Sequence, residues 1–117
     1  MTRRRSAHDD ARADFELWLA LHGFTTEARF HPTRKWRFDY AHMGCRIAVE
    51  YDGIIGGTVG YGDHGHRTVN GLLRDAEKSN EGQVLGWIVL RVNAKTIADG
   101  VAQRQIEAAL AARGVMV

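Results

Sequence analysis

RKWRFDYAHMGCRIAVEYD, residues 34–52, reads as two short β-strands joined by a tight turn. In the first, about Trp36 to Ala41, the rings of Trp36, Phe38 and Tyr40 alternate with Arg37 and Asp39. In the second, about Arg46 to Tyr51, Ile47, Val49 and Tyr51 alternate with Ala48, Glu50 and then Asp52. Side chains two apart in a strand share a face. Glu50 and Asp52 therefore point the same way, and pairing through the His42-Met43-Gly44 turn brings Asp39 to join them. Three carboxylates on one side of a hairpin repel one another unless a cation sits between them, and a divalent metal is the economical answer. The competing reading is an exposed sheet face neutralised by Arg37 and Arg46. Against it stands the cost of charge placed among strongly apolar strand residues.

Outward from this hairpin the pattern turns helical. From Asp9 to Leu21, residues Phe15, Trp18, Leu19 and Leu21 recur at helical spacing, Asp9 or Asp10 can cap the start, and Gly23 stops the run. Ala28 to His31 is expected to form a short first strand before Pro32. Downstream, GIIGGTVGYGDHGH from Gly53 to His66 is a long glycine-rich loop, and loops of that length inside a compact domain are usually functional. Thr68 to Leu85 reads as a helix with Val69, Leu72, Leu73, Ala76 and Val84 facing the core, weakened by Gly71 and Gly82. WIVLRV, Trp87 to Val92, is so continuously apolar that burial on both faces is expected. A last helix over Thr96 to Ala112 presents Ile97, Val101, Ile106, Ala109 and Leu110 at core spacing, with Gly114 at its end. Trp18, Trp36 and Trp87 are read as core. This order of elements gives an α/β (α+β) domain, a mixed central sheet flanked by helices.

With 117 residues, the chain is expected to be a single domain, residues 1–8 forming a basic arm. Cys45 is the only cysteine, so no internal disulfide can form; it reads as a small buried hydrophobe in a reducing, cytoplasmic setting. No stretch is long and apolar enough for a membrane span, and MTRRRSAHDD has the charge of a signal peptide without its apolar segment. A net charge of +2 does not by itself demand a polyanionic partner. Its distribution says more: Arg3, Arg4 and Arg5 form a basic arm, and Arg29, Arg34, Lys35 and Arg37 gather just before the acidic hairpin. A basic rim beside an acidic centre suits an enzyme of nucleic acids. His64 and His66 suit acid–base work or phosphate contact. Two histidines and one cysteine make no zinc site at any recognised spacing. His8, His22, His31 and His42 are read as surface residues.

The ordered set WRFDYA, IAVEYDG, RDAEKSN and GWIVLRV resembles the PD-(D/E)XK, restriction-endonuclease-like nucleases, and among them the phage and bacterial proteins related to very-short-patch-repair endonucleases. The resemblance implies a Mg²⁺-dependent DNA endonuclease, with Mn²⁺ able to substitute, acting in repair or recombination in a bacterial cell or phage-infected host. It matches Asp39 to the first family aspartate and Glu50 to the acid of the (D/E)XK element, both holding metal, with the Tyr51 carbonyl as a further ligand. Where that element has its lysine, this chain has Asp52, an acidic replacement found in the phage-like branch. Lys78 is then the candidate for the missing charge, within a segment (Asp75, Glu77, Lys78, Asn80) similar to the branch's D-x-E-K-x-N pattern; a solvated helix face is the alternative for Asp75, Glu77 and Lys78. His66 matches a histidine that follows the glycine-rich segment in relatives and ranks above His64. Glu16 precedes an apolar run as the first-helix glutamate of related nucleases does. Arg34, Lys35, Arg37 and Arg67 are the expected phosphate contacts, although Arg37 could instead neutralise the carboxylates. A homodimer would suit the cutting of two strands. The rival function is a nuclease-fold module that binds nucleic acid or protein without cleaving.

Overall fold

The computed structural model describes residues 6–52 and 68–116, apart from the His8 side chain. The arginine arm, the segment from Gly53 to His66 with His64 and His66, and Arg67 lie outside the described residues.

Helix α1 spans Ala7–Leu21. Its cap is Ser6, one turn earlier than expected: the Ser6 hydroxyl accepts from the Asp9 amide, and the Asp9 carboxylate accepts from the Ser6 amide in return. Gly23, at φ 91°, ends it by turning the Phe24 amide back onto the Leu19 carbonyl. Phe15 and Leu19 are buried, whereas Trp18 is half-buried and Leu21 lies exposed past the core stripe. Strand β1 is Thr25–Arg29, β2 Arg37–His42 and β3 Ile47–Tyr51. The first strand thus begins three residues before the expected start. The chain from Phe30 to Trp36 is a turn organised by His31, whose Nδ1 accepts from the Thr33 and Arg34 amides while Nε2 meets Glu81 at 3.0 Å. Expected at the surface, His31 has a side chain only 12 % exposed. His42 is likewise half-buried, its Nδ1 accepting from the Cys45 amide to close the β2–β3 turn.

Helix α2 covers Val69–Val84, β4 Ile88–Val92, α3 Ala94–Ala98 and α4 Val101–Ala112. The sheet order is β1-β2-β3-β4, antiparallel across the first two pairings and parallel between β3 and β4. One face packs Tyr40, Ile47, Val49 and Val92 against α1, α3 and α4 through Phe15, Leu19, Ile97, Ile106 and Leu110. The other face packs Phe38, Ala41, Ala48 and Trp87, and α2 lies over it. The mixed sheet flanked by helices is therefore as expected at the level of an α+β domain.

Four expectations fail on physical grounds. Val69, Leu72, Leu73, Ala76 and Val84 of α2 are exposed, not core. Gly82 is the buried residue of that helix, because a Cβ there would come 3.0 Å from Phe38 Cζ. The last helix is broken: Asn93 caps α3, and Gly100, at φ 83°, separates it from α4. Among the described residues β4 is the edge strand of the sheet; Ile88, Val89 and Leu90 are half-buried and only Val92 of this strand is fully enclosed. Trp36 is half-buried and stacks on Phe30, while Trp87 is core.

Candidate functional site

Strict alternation in β2 fails at Asp39. Phe38 packs on the α2 side of the sheet and Tyr40 on the α1 side, although two residues apart they would share a face in a regular strand. Opposite Asp39 stands Glu27, whose φ of 50° lies in the left-handed region, between the pairs Thr26↔Tyr40 and Ala28↔Phe38. The β2–β3 register runs His42↔Ile47, Ala41↔Ala48, Tyr40↔Val49. Past that point two side chains take over the bonding between the strands. The Asp39 amide donates to Glu50 Oε2 at 2.9 Å, and the Tyr51 amide donates to Asp39 Oδ2 at 2.8 Å. Each acid is thus fixed by the backbone of the other's strand.

Glu50 is 6 % exposed, on a central strand between β2 and β4. Its Oε1 forms an ion pair with Lys78 of α2, whose Nζ also donates to the Arg37 carbonyl at 2.7 Å and lies 5.6 Å from the centre of the Phe38 ring. Burial pushes the Glu50 carboxyl above its ordinary range; the Lys78 and Asp39 hydrogen bonds pull the other way without cancelling it.

The structure thus brings together Asp39, Glu50, the Tyr51 backbone and Lys78. The Tyr51 group that meets Asp39 is its amide. Among the described residues no group of three or more His, Cys, Asp or Glu side chains is gathered to hold one ion, so the expected acidic trio is a pair. Asp52 is half-buried at the end of β3 and its amide donates to the Val92 carbonyl at 2.8 Å. Asp75 is half-buried on α2. Arg34, Lys35 and Arg37 are all exposed; Arg34 stacks over Trp36 at 3.8 Å and pairs with Glu77 at 3.3 Å. The charge facing Glu50 comes from Lys78, whereas Arg46, the other candidate neutraliser, donates to the Leu85 carbonyl.

Glu16 is engaged on the α1 side, where it accepts the Tyr40 hydroxyl proton at 2.8 Å. Arg12 donates from Nε and Nη2 to the same phenol oxygen at 3.2 Å and lies over the Tyr51 ring, 3.9 Å from its centre. Burial acts to lower the Arg12 pKa, but the Tyr40 hydrogen bond and the neighbouring Tyr40, Tyr51 and Glu16 outweigh it, and the net shift is upward. Burial also pushes the Tyr40 phenol up to about 12. Sequence reasoning passed over Arg12 and Tyr40. The available signal was the spacing of Arg12 and Glu16, four apart on one helix face.

No protein-family model, curated protein or solved structure matches the chain.

Proposed function

We propose that this protein is a Mg²⁺-dependent DNA endonuclease of the restriction-endonuclease-like kind, hydrolysing phosphodiester bonds in the repair or recombination of DNA. The observation that carries the reading is the interlocked pair of Asp39 and Glu50 where the two central strands part, with the Lys78 ammonium delivered to it from α2. Burying a carboxylate on a central strand is costly, and a hydrophobic pair of similar volume would commonly be at least as stable. Retaining acid and base there is understandable if the site handles charge.

The donor set fits a hard divalent cation. Two adjacent carboxylates supply oxygen ligands, and Mg²⁺ is commonly held by one or two carboxylates while keeping several waters. A carboxylate oxygen that accepts one hydrogen bond still has a lone pair to offer. When bound, the metal would polarise the phosphate and lower the pKa of a coordinated water. The chain's own residues do the rest. The Tyr51 amide orients Asp39, the Asp39 amide orients Glu50, and Lys78 offers an ammonium to charge developing on the phosphate. Exposed Arg34, Lys35 and Arg37 suit contacts to the DNA backbone, with Arg67 and His66 as further participants. A homodimer acting in a bacterial or phage-infected cytoplasm is the arrangement that suits double-strand substrates.

One observation favours the non-cleaving alternative: Lys78 already neutralises Glu50, so a metal must share or replace that contact. The test is incubation with supercoiled, branched, mismatched and single-stranded DNA in Mg²⁺, Mn²⁺ or EDTA. Metal-dependent nicking that disappears in Asp39→Ala and Glu50→Ala is expected. DNA binding that survives EDTA, with no cleavage of any substrate, would transfer the assignment to the binding module.

A further inference from the structure

Each face of the sheet carries a cation beside the strand ends that hold Asp39 and Glu50. Lys78 approaches from α2; on the opposite face α1 supplies Arg12, anchored on Tyr40 and Tyr51, the residues that directly follow Asp39 and Glu50. Arg12 and Glu16 have the spacing at which helical side chains of opposite charge pair. Here the Tyr40 hydroxyl stands between them, accepting from Arg12 and donating to Glu16. The guanidinium spends two of its five donors on a neutral phenol and is half-exposed. Its charge is held in place by a ring stack, and among the described residues it makes no direct contact with a carboxylate.

We propose that Arg12 is a phosphate seat, its planar fork receiving a backbone phosphodiester of the nucleic acid laid across Asp39 and Glu50, with Tyr40 and Glu16 as positioning residues. Guanidinium matches phosphate bidentately and is weakly hydrated, which suits a half-buried position. The inference rests on the nucleic-acid reading above and needs no cleavage to be tested.

The experiment measures binding of the full chain to a short fluorescein-labelled DNA duplex by anisotropy, in EDTA, across a salt series. Arg12→Gln is expected to weaken binding severalfold and to reduce the slope of log affinity against log salt by about one, the signature of one lost phosphate contact. Arg12→Lys should keep the slope and lose part of the affinity. Tyr40→Phe should weaken binding because Arg12 then collapses onto Glu16, and Tyr40→Phe/Glu16→Gln should restore it. That rescue would not occur if Arg12 merely clamped α1. An unchanged slope in a folded Arg12→Gln protein overturns the proposal; if that variant does not fold, failure of the double variant to recover the affinity lost in Tyr40→Phe overturns it instead. Absence of cleavage by an intact protein that shows these slopes would sink the endonuclease reading and leave Arg12 in place.

Discussion

Burial pushes the Glu50 carboxyl above its ordinary range although Lys78 and the Asp39 amide both favour its ionised form. Between the ordinary carboxylate range and that raised value, the folded chain holds a proton that the unfolded chain has released. The stability contributed by Glu50 is therefore complete below that span and is lost as pH rises through it. Lys78→Met removes the compensating ammonium and lifts the native pKa further. At neutral pH it should cost about 3–5 kcal/mol, the penalty for stranding one member of a buried pair. The cost should shrink as the solution is acidified, which urea unfolding at a series of pH values will show. A loss that does not vary with pH would trace to the ammonium's contacts with the Phe38 ring and the Arg37 carbonyl and not to its pairing with Glu50. The two acids should also respond differently to amide substitution. Asn at position 39 keeps an oxygen for the Tyr51 amide, so Asp39→Asn should stay within about 0.5 kcal/mol of the parent. Gln at position 50 offers one oxygen to two donors, Lys78 and the Asp39 amide, so Glu50→Gln should lose about 1–3 kcal/mol in the same measurement. Asp39, Glu50 and Lys78 were legible from short patterns along the chain. Arg12 with Tyr40 was not: the spacing of Arg12 and Glu16 hints at a pair on one helix face, but the contact itself joins residues 28 positions apart.

At the scale of elements, the strands were easier to read than the helices. The hairpin pattern marked β2 and β3 to within a residue or two, since short runs rich in aromatic and β-branched residues between turn signals bound a strand even where both of its faces are covered. What alternation could not reveal was its own failure at Asp39, which depends on Glu27 across the sheet. Helix α2 misled because its apolar residues do have helical spacing, yet the face that approaches the sheet is marked by a glycine. Val84, 84 % exposed, should tolerate Lys within about 0.5 kcal/mol. Ile106, fully enclosed on α4, should lose about 2–5 kcal/mol on replacement by Ala, and thermal melts will separate the two. Gly100 divides the broken-helix reading from the continuous one. Ala is the better residue inside a continuous helix by about 1 kcal/mol. At φ 83° it is the worse one, so Gly100→Ala should lower the melting temperature. A rise would restore the single helix expected from the sequence.

For the whole molecule, the charge balance at the acidic pair is set by Lys78 of α2 on Glu50, while Arg12 of α1 is held on Tyr40 and Tyr51 on the other face of the sheet. A divalent ion joining this balance must compete with Lys78 for Glu50, and that competition fixes the sign of a final prediction. Mn²⁺ at about tenfold over its Kd should stabilise the native state by about 1.4 kcal/mol, visible as a rise of a few degrees in melting temperature and reversed by EDTA. Asp39→Asn should abolish the rise without changing the metal-free melt. Lys78→Met, although less stable without metal, should show a larger rise, because Glu50 is then a buried anion with no resident cation and gains more from an incoming one. A rise in Lys78→Met equal to that of the parent would place the ion on Asp39 without Glu50. No rise in either protein would leave Lys78 as the only cation the site accepts, and the chemistry of this surface would then be binding and not hydrolysis.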